Sequence, residues 1–328
     1  MSRHYIEITA RLMARGAALF LLSFAAPAIA ADFPLSAHES AVGAVTTYET
    51  RAGDTLMDIA RSNDLGFTQL MAVNRGVNPW FPGVGTHIVI PNFYLLPNVP
   101  HRGIVIDLAA ERLYYFPPDQ SMVESYPIGI GVLGAATPVG ATRVVAKEAN
   151  PVWYPPPSIH AERPGLPAAI PAGPDNPLGA YALHLGWRNF LIHGTNKPDG
   201  VGRNVSHGCI HLYPEDIERL FREVPVGTPV RVVDDDMRAA WIAGELYLEI
   251  HPTKEQADEL DIKGTLTPVE SPPSLEQRVT DAAGDQIERI DWSKVRRIAE
   301  ERTGIPTKVT APGPIPIGEF GGDSAGPS

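Results

Sequence analysis

The sequence predicts a mainly β protein, with a small βααβ unit ahead of a larger β domain that carries one short helix. Three observations carry this. Residues 46–91 place two short helical patterns between two strand patterns. From Gly103 onward, runs rich in Val, Ile and Tyr recur at strand spacing. Before residue 234 one further helix start stands out, at Pro214 with Glu215 and Asp216 in its first turn.

The elements follow in chain order. Arg3, Arg11 and Arg15 precede a mostly apolar run, Gly16 to Ala26, and Ala28-Ile29-Ala30 fits a small-residue cleavage site, so residues 1–30 read as an export leader. That run is well short of the roughly 20 residues that span a bilayer, and no later segment is longer, so no membrane span is expected. Residues 31–45 read as a linker. In the βααβ unit, Thr47–Thr50 is a strand, and Asp54 is placed to cap a helix whose apolar face is Leu56, Ile59 and Ala60. A second helix with Leu70, Met71 and Val73 ends near Asn74, and His87–Pro91 returns as a strand.

Residues 101–234 form the larger domain. Ile104–Leu108 and Arg112–Phe116 flank a short turn as a hairpin, and strands follow at 125–131 and 142–147. Nine prolines between Pro151 and Pro177 argue against regular structure there and for a stiff loop covering the active site. Strands at 181–185 and 189–193, the helix from Pro214 through Val224 and a strand at 228–233 complete the domain. Residues 235–305 are a C-terminal extension with a strand at 245–250 and helical patterns at 254–260, 275–282 and 295–302. The tail, 306–328, is rich in Pro and Gly and reads as disordered.

Charge excludes some partners. The 27 basic and 38 acidic side chains leave a net charge of −11, which disfavours nucleic acid and provides no polybasic patch for anionic lipid.

Cys209 is the only cysteine, on a chain read as exported, so it forms no intrachain disulfide and is exposed to oxidation. Its nucleophilicity is the better reason to keep it. At an ordinary thiol pKa only about 3 % is thiolate at pH 7, so a neighbouring imidazole is needed to take the proton. His193, His207 and His211 are the nearby candidates. Gly208 lets backbone N–H groups approach a developing oxyanion. A zinc site built from Cys209, His207, His211 and His193 is disfavoured, because residues two before and two after one cysteine rarely converge on one ion. No metal or cofactor is expected.

His193-Gly194-Thr195, a sixteen-residue step to Cys209, and Ser206-His207-Gly208-Cys209 closely resemble the YkuD-type L,D-transpeptidases. Thr137-Pro138-Val139-Gly140, Asn150-Pro151-Val152-Trp153, Asn176-Pro177-Leu178-Gly179 and Leu212-Tyr213-Pro214-Glu215 also look like family segments. The front unit resembles a LysM module through Tyr48, Gly53-Asp54-Thr55-Leu56, Asn74 and Ile88-Val89-Ile90-Pro91, as in the ErfK/YbiS/YcfS subgroup. The resemblance implies a YkuD-like β-sandwich catalytic domain behind a glycan-binding LysM domain, in the periplasm. It implies Cys209 as nucleophile, His193 as base and the Gly194 carbonyl as its orienting group. Backbone N–H groups around His207, Gly208 and Cys209 would form the oxyanion hole, with Ser206 and His207 in support. Substrate contacts are expected from His211, Thr195, Tyr181 and Trp153. His211 stands where the subgroup usually has arginine, which a histidine does not replace as a carboxylate clamp. The implied partners are peptidoglycan stem peptides and glycan strands. The acceptor amine stays open between a second stem, giving a 3–3 cross-link, and a protein such as an outer-membrane protein. A hydrolase on the same scaffold, either an L,D-carboxypeptidase or an amidase cutting a wall–protein link, and a non-catalytic wall-binding protein are the alternative readings.

Overall fold

The structure is a computed structural model that describes residues 31–35, 40–119, 121–131, 137–206 and 208–311. The leader (1–30), His207 and residues 312–328 lie outside the described residues.

Among the described residues the first elements are β1 (Ala31–Pro34) and β2 (Ala41–Glu49), then α1 (Leu56–Ser62), α2 (Phe67–Val73) and β3 (His87–Leu95). Leu56, Ile59, Leu70, Met71, Ile88 and Ile90 close a separate small core. Within the expected linker at 31–45, residues 31–34 and 41–45 are instead paired strands. β1 adds antiparallel to the strand at Met122–Pro127, satisfying that edge, and Phe33 packs edge-on to Tyr94 with ring centroids 6.3 Å apart. Thr55, not Asp54, caps α1 by accepting from the Asp58 N–H at 3.1 Å. Asp54 instead accepts from the Tyr48 hydroxyl and the Arg51 N–H.

The larger domain comprises β4 (Gly103–Asp107), β5 (Arg112–Phe116), β6 (Met122–Pro127), β7 (Ile130–Gly131), β8 (Gly140–Ala149), α3 (Pro157–Glu162), β9 (Tyr181–Leu185), β10 (Leu191–His193), β11 (Asn204–Ser206), β12 (Ile210–His211), α4 (Pro214–Glu223) and β13 (Pro229–Val233). Nine strands form one sheet in the order β1-β6-β5-β4-β13-β8-β9-β10-β12. A bridge between Gly129 and His211 brings the β12 edge back to the segment after β6. The two wings therefore share a core of Ile104, Leu113, Val144, Leu183, Ile192 and Ile210, which Ile217 and Leu220 of α4 close.

The proline-rich interval is more regular than expected. It holds α3, entered through prolines at its first turn, and a Trp153–Ile170 bridge. Fully buried Asn176 ties its base, donating to the Pro151 carbonyl at 2.8 Å and accepting from the Leu178 N–H at 2.9 Å.

Past the sheet come β14 (Met237–Ile242), β15 (Glu245–Ile250), α5 (Lys254–Lys263), α6 (Leu275–Ala283), α7 (Trp292–Glu301) and β16 (Thr307–Lys308). β14, β15 and β16 form a second sheet, whose core with α6 and α7 includes Leu246, Leu248, Val279 and Val295. The residues expected to begin a disordered tail instead pair with β15 as β16, and Val309 is fully buried behind it.

The three units interlock. Arg61 of α1 forms a two-pronged ion pair with Glu215, both contacts at 2.8 Å. Fully buried Arg112 of β5 donates to the Asp64 carbonyl and stacks over Tyr94 at 4.3 Å. Gly66 lies against Gly202 so closely that a Cβ on Gly66 would sit 2.7 Å from the Gly202 Cα. The Gly202 carbonyl accepts from the N–H and hydroxyl of Thr68. In the C-terminal unit, buried Arg238 pairs with Asp107 of β4 and Glu249 of β15, and Glu249 also accepts the Leu95 N–H of β3 at 2.6 Å.

Candidate active site

β10 and β12 run parallel, with Ile192 opposite Ile210 and His193 opposite His211. Alternation sends the isoleucines into the core and sets the two histidines side by side on the other face. Their rings lie 6.2 Å apart, tilted by 28°. Gly194 has no side chain because Ile217 and the Leu178 carbonyl occupy that space, and its N–H donates to the Tyr181 carbonyl.

His193 is 7 % exposed, and its Nδ1 lies 2.5 Å from the Gly194 carbonyl. A carbonyl only accepts, so Nδ1 carries the hydrogen and Nε2 keeps its lone pair. Burial, then the neighbouring His211, pushes the His193 pKa down to about 3 against the support of the Gly194 carbonyl.

Cys209 stands one residue before β12, half-buried, with Sγ 3.6 Å from the Asn189 carbonyl at the approach to β10. Burial raises its pKa, opposed by a backbone hydrogen bond from Leu191. Both shifts favour the neutral forms, a thiol at Cys209 and an imidazole at His193. Gly208 adopts φ +98°, a conformation glycine takes without strain, and its carbonyl accepts from the Thr137 hydroxyl at 2.8 Å.

Residues 101–232 match the L,D-transpeptidase catalytic domain model and residues 48–91 match the LysM domain model. The probable L,D-transpeptidase YbiS of Escherichia coli K12 is 42 % identical over 244 residues, covering 72 % of this chain and 79 % of YbiS. The chain belongs to the L,D-transpeptidase family. The probable L,D-transpeptidase ErfK/SrfK of Salmonella typhimurium LT2 is 36 % identical over 302 residues, 89 % of this chain and 95 % of that one. Among solved structures, the Ldtfm-avibactam carbamoyl enzyme is 25 % identical with a TM-score of 0.34, covering 42 % of this chain and 50 % of that chain.

Of the four expected substrate contacts, His211 is buried, whereas Thr195, Tyr181 and Trp153 are part-exposed. His211 is 5 % exposed and its Nε2–H donates to the Gly200 carbonyl at 3.0 Å. A side chain at Gly129 would overlap the His211 ring, so the glycine makes room for it. Burial lowers the His211 pKa, opposed by the Gly200 carbonyl, and the ring packs beside His193. Tyr181 lies against Phe221 of α4, ring centroids 4.7 Å apart, as part of the core wall. Trp153 holds the loop bridge to Ile170, and the Thr195 hydroxyl accepts the Lys197 N–H in a local turn. Ser206 ends β11, paired with Gly131 of β7. Among the described residues no group of three or more His, Cys, Asp or Glu side chains is placed to hold a metal ion. Sequence reasoning missed Gly129, Gly200 and Thr137. Only Thr137 had a signal, the Thr-Pro-Val-Gly block quoted without a role.

Proposed function

We propose that this chain is an exported L,D-transpeptidase in which Cys209 carries the acyl group and His193 moves the proton. The β10–β12 register carries the reading, because it sets His193 beside a residue two positions from Cys209 while the thiol reaches back towards β10. Sγ attacks the carbonyl of the third stem residue, a diaminopimelate, as its proton passes to Nε2 of His193. The tetrahedral intermediate collapses to a thioester and the terminal D-alanine leaves with that proton. An acceptor amine, from a second stem or a protein anchored to the wall, then attacks the thioester and restores the thiol. Backbone N–H groups around Gly208 and Cys209 receive the oxyanion, and the proline-rich loop covers the donor peptide.

The LysM unit supports a glycan partner. Trp80 and Phe81, 55 % and 82 % exposed, stand on the loop before β3, where Asn78 holds their backbone N–H groups. Flat aromatic faces in water suit the C–H faces of sugar rings. We place the enzyme in the periplasm, on the leader read in residues 1–30.

Purified protein incubated with tetrapeptide muropeptides is expected to release D-alanine and form dimers. Cys209→Ala is expected to abolish both at an unchanged melting temperature. Tripeptides without dimers would assign hydrolysis instead, and an active Cys209→Ala variant would refute the nucleophile.

A further inference from the structure

The Gly208–Cys209 amide is held from one side by a residue far away in sequence. Thr137 is buried, and its hydroxyl donates to the Gly208 carbonyl at 2.8 Å across 71 positions of chain. Gly208 sits at φ +98°. A glycine there puts little steric restraint on its flanking peptides, so the amide needs an outside hold to keep one orientation. Thr137 is suited to give it, because Pro138 follows directly and restricts Thr137 to extended backbone, where β8 begins two residues later. An amide is planar and trans, so its C=O and N–H point in opposite directions. Fixing the Gly208 oxygen therefore fixes the direction of the Cys209 N–H.

We propose that Thr137 is a positioning residue for acyl transfer, holding the Gly208–Cys209 peptide so that the Cys209 N–H faces the oxyanion formed when Sγ attacks. This rests on Cys209 being the nucleophile. It assigns a task to the Thr-Pro-Val-Gly block that the thiol and imidazole alone leave without one.

The test compares two reactions of Cys209 in the full chain. Acylation by imipenem builds a tetrahedral oxyanion, whereas alkylation by iodoacetamide does not. Thr137→Val keeps the shape and removes the donor. It is expected to slow imipenem acylation by about 10- to 100-fold, as misplacing one oxyanion donor would. Alkylation, across its whole pH profile, should stay within about twofold. Thr137→Ser, which keeps the hydroxyl, should acylate within about threefold of the parent. If the valine variant does not fold, Thr137→Ala carries the same expectation. Acylation unchanged in a folded donorless variant overturns the proposal, as does an equal fall in both reactions, which would place the effect on the thiol itself. If neither donorless variant folds, Thr137 is a determinant of the fold and the proposal falls. Acylation persisting in Cys209→Ala would instead remove the nucleophile reading on which it rests.

Discussion

Gly66→Ala tests how the LysM unit is docked, because the sign of its effect depends on that contact. Gly66 has φ −74° and ψ 149°, a conformation alanine adopts freely. Losing glycine's freedom in the unfolded chain alone would stabilise by about 0.4–1 kcal/mol. Losing glycine at a helix N-cap costs a similar amount, so the two nearly cancel. Packing then decides. The new Cβ would sit 2.7 Å from the Gly202 Cα, against a normal carbon–carbon contact of about 3.5–4 Å. The units must part by about 1 Å. That stretches three hydrogen bonds: Phe67 N–H to the Val201 carbonyl (3.4 Å), and the Thr68 N–H (3.1 Å) and hydroxyl (2.6 Å) to the Gly202 carbonyl. At about 1 kcal/mol each, with overpacking strain beside them, the expected loss is about 2–4 kcal/mol. Urea unfolding of the full chain measures it. Gly165→Ala is the control, since nothing lies within 4 Å of a Cβ there. A Gly66→Ala variant as stable as that control, within about 0.5 kcal/mol, would refute the docking described here. The Gly200 carbonyl that holds His211 sits two residues from the contact, so imipenem acylation should slow as well.

Other outcomes follow from the site. His193 must be neutral to accept the thiol proton, and its pKa is pushed down to about 3, so the acid limb of the rate profile should fall well below the ordinary histidine range. A limb near pH 6.5, measured with imipenem, would contradict the burial of that ring. The same shift affects stability. The unfolded chain protonates His193 near pH 6.5 and the folded chain only near 3, so this contribution is complete above 6.5 and lost as pH falls towards 3. His193→Gln should flatten that part of the unfolding curve, and an unaltered slope would count against it. Gly129→Ala should disable acylation by at least about tenfold by displacing His211 and, through it, His193; normal acylation kinetics would remove His211 from the site's support. Asn176→Ala strips several hydrogen bonds from the base of the proline-rich loop and should cost about 2–4 kcal/mol in urea unfolding, with faster proteolysis between Pro151 and Pro177.

Local pattern made much of the fold legible. Leu56, Ile59 and Ala60 marked α1, Pro214 with Glu215 and Asp216 marked α4, and Glu245–Ile250 matched β15, because each depends on periodicity or end chemistry within one element. What escaped depends on distant partners. β1 is a strand only because β6 offers an edge, and β16 only because β15 does. α3 hid among prolines, which break a helix interior but open this one's first turn. At the site, the motif brought out Cys209 and His193. The inward turn of His211 followed from Gly129 and Gly200, whose closeness no spacing rule conveys.

The buried ion cluster around Arg238 makes the C-terminal extension a keystone. Asp107 is fully buried on a strand of the catalytic sheet, and its counter-ion comes from β14, beyond the end of that sheet. Truncating the chain after Val233 would strand a carboxylate in an apolar interior and strip the Leu95 N–H of its acceptor. The segment that reads as an appendage thus completes the catalytic half, and it stays tied to β15 and its neighbours as far as Thr310, whose hydroxyl donates to Glu245, and Ala311, whose N–H donates to the Arg289 carbonyl.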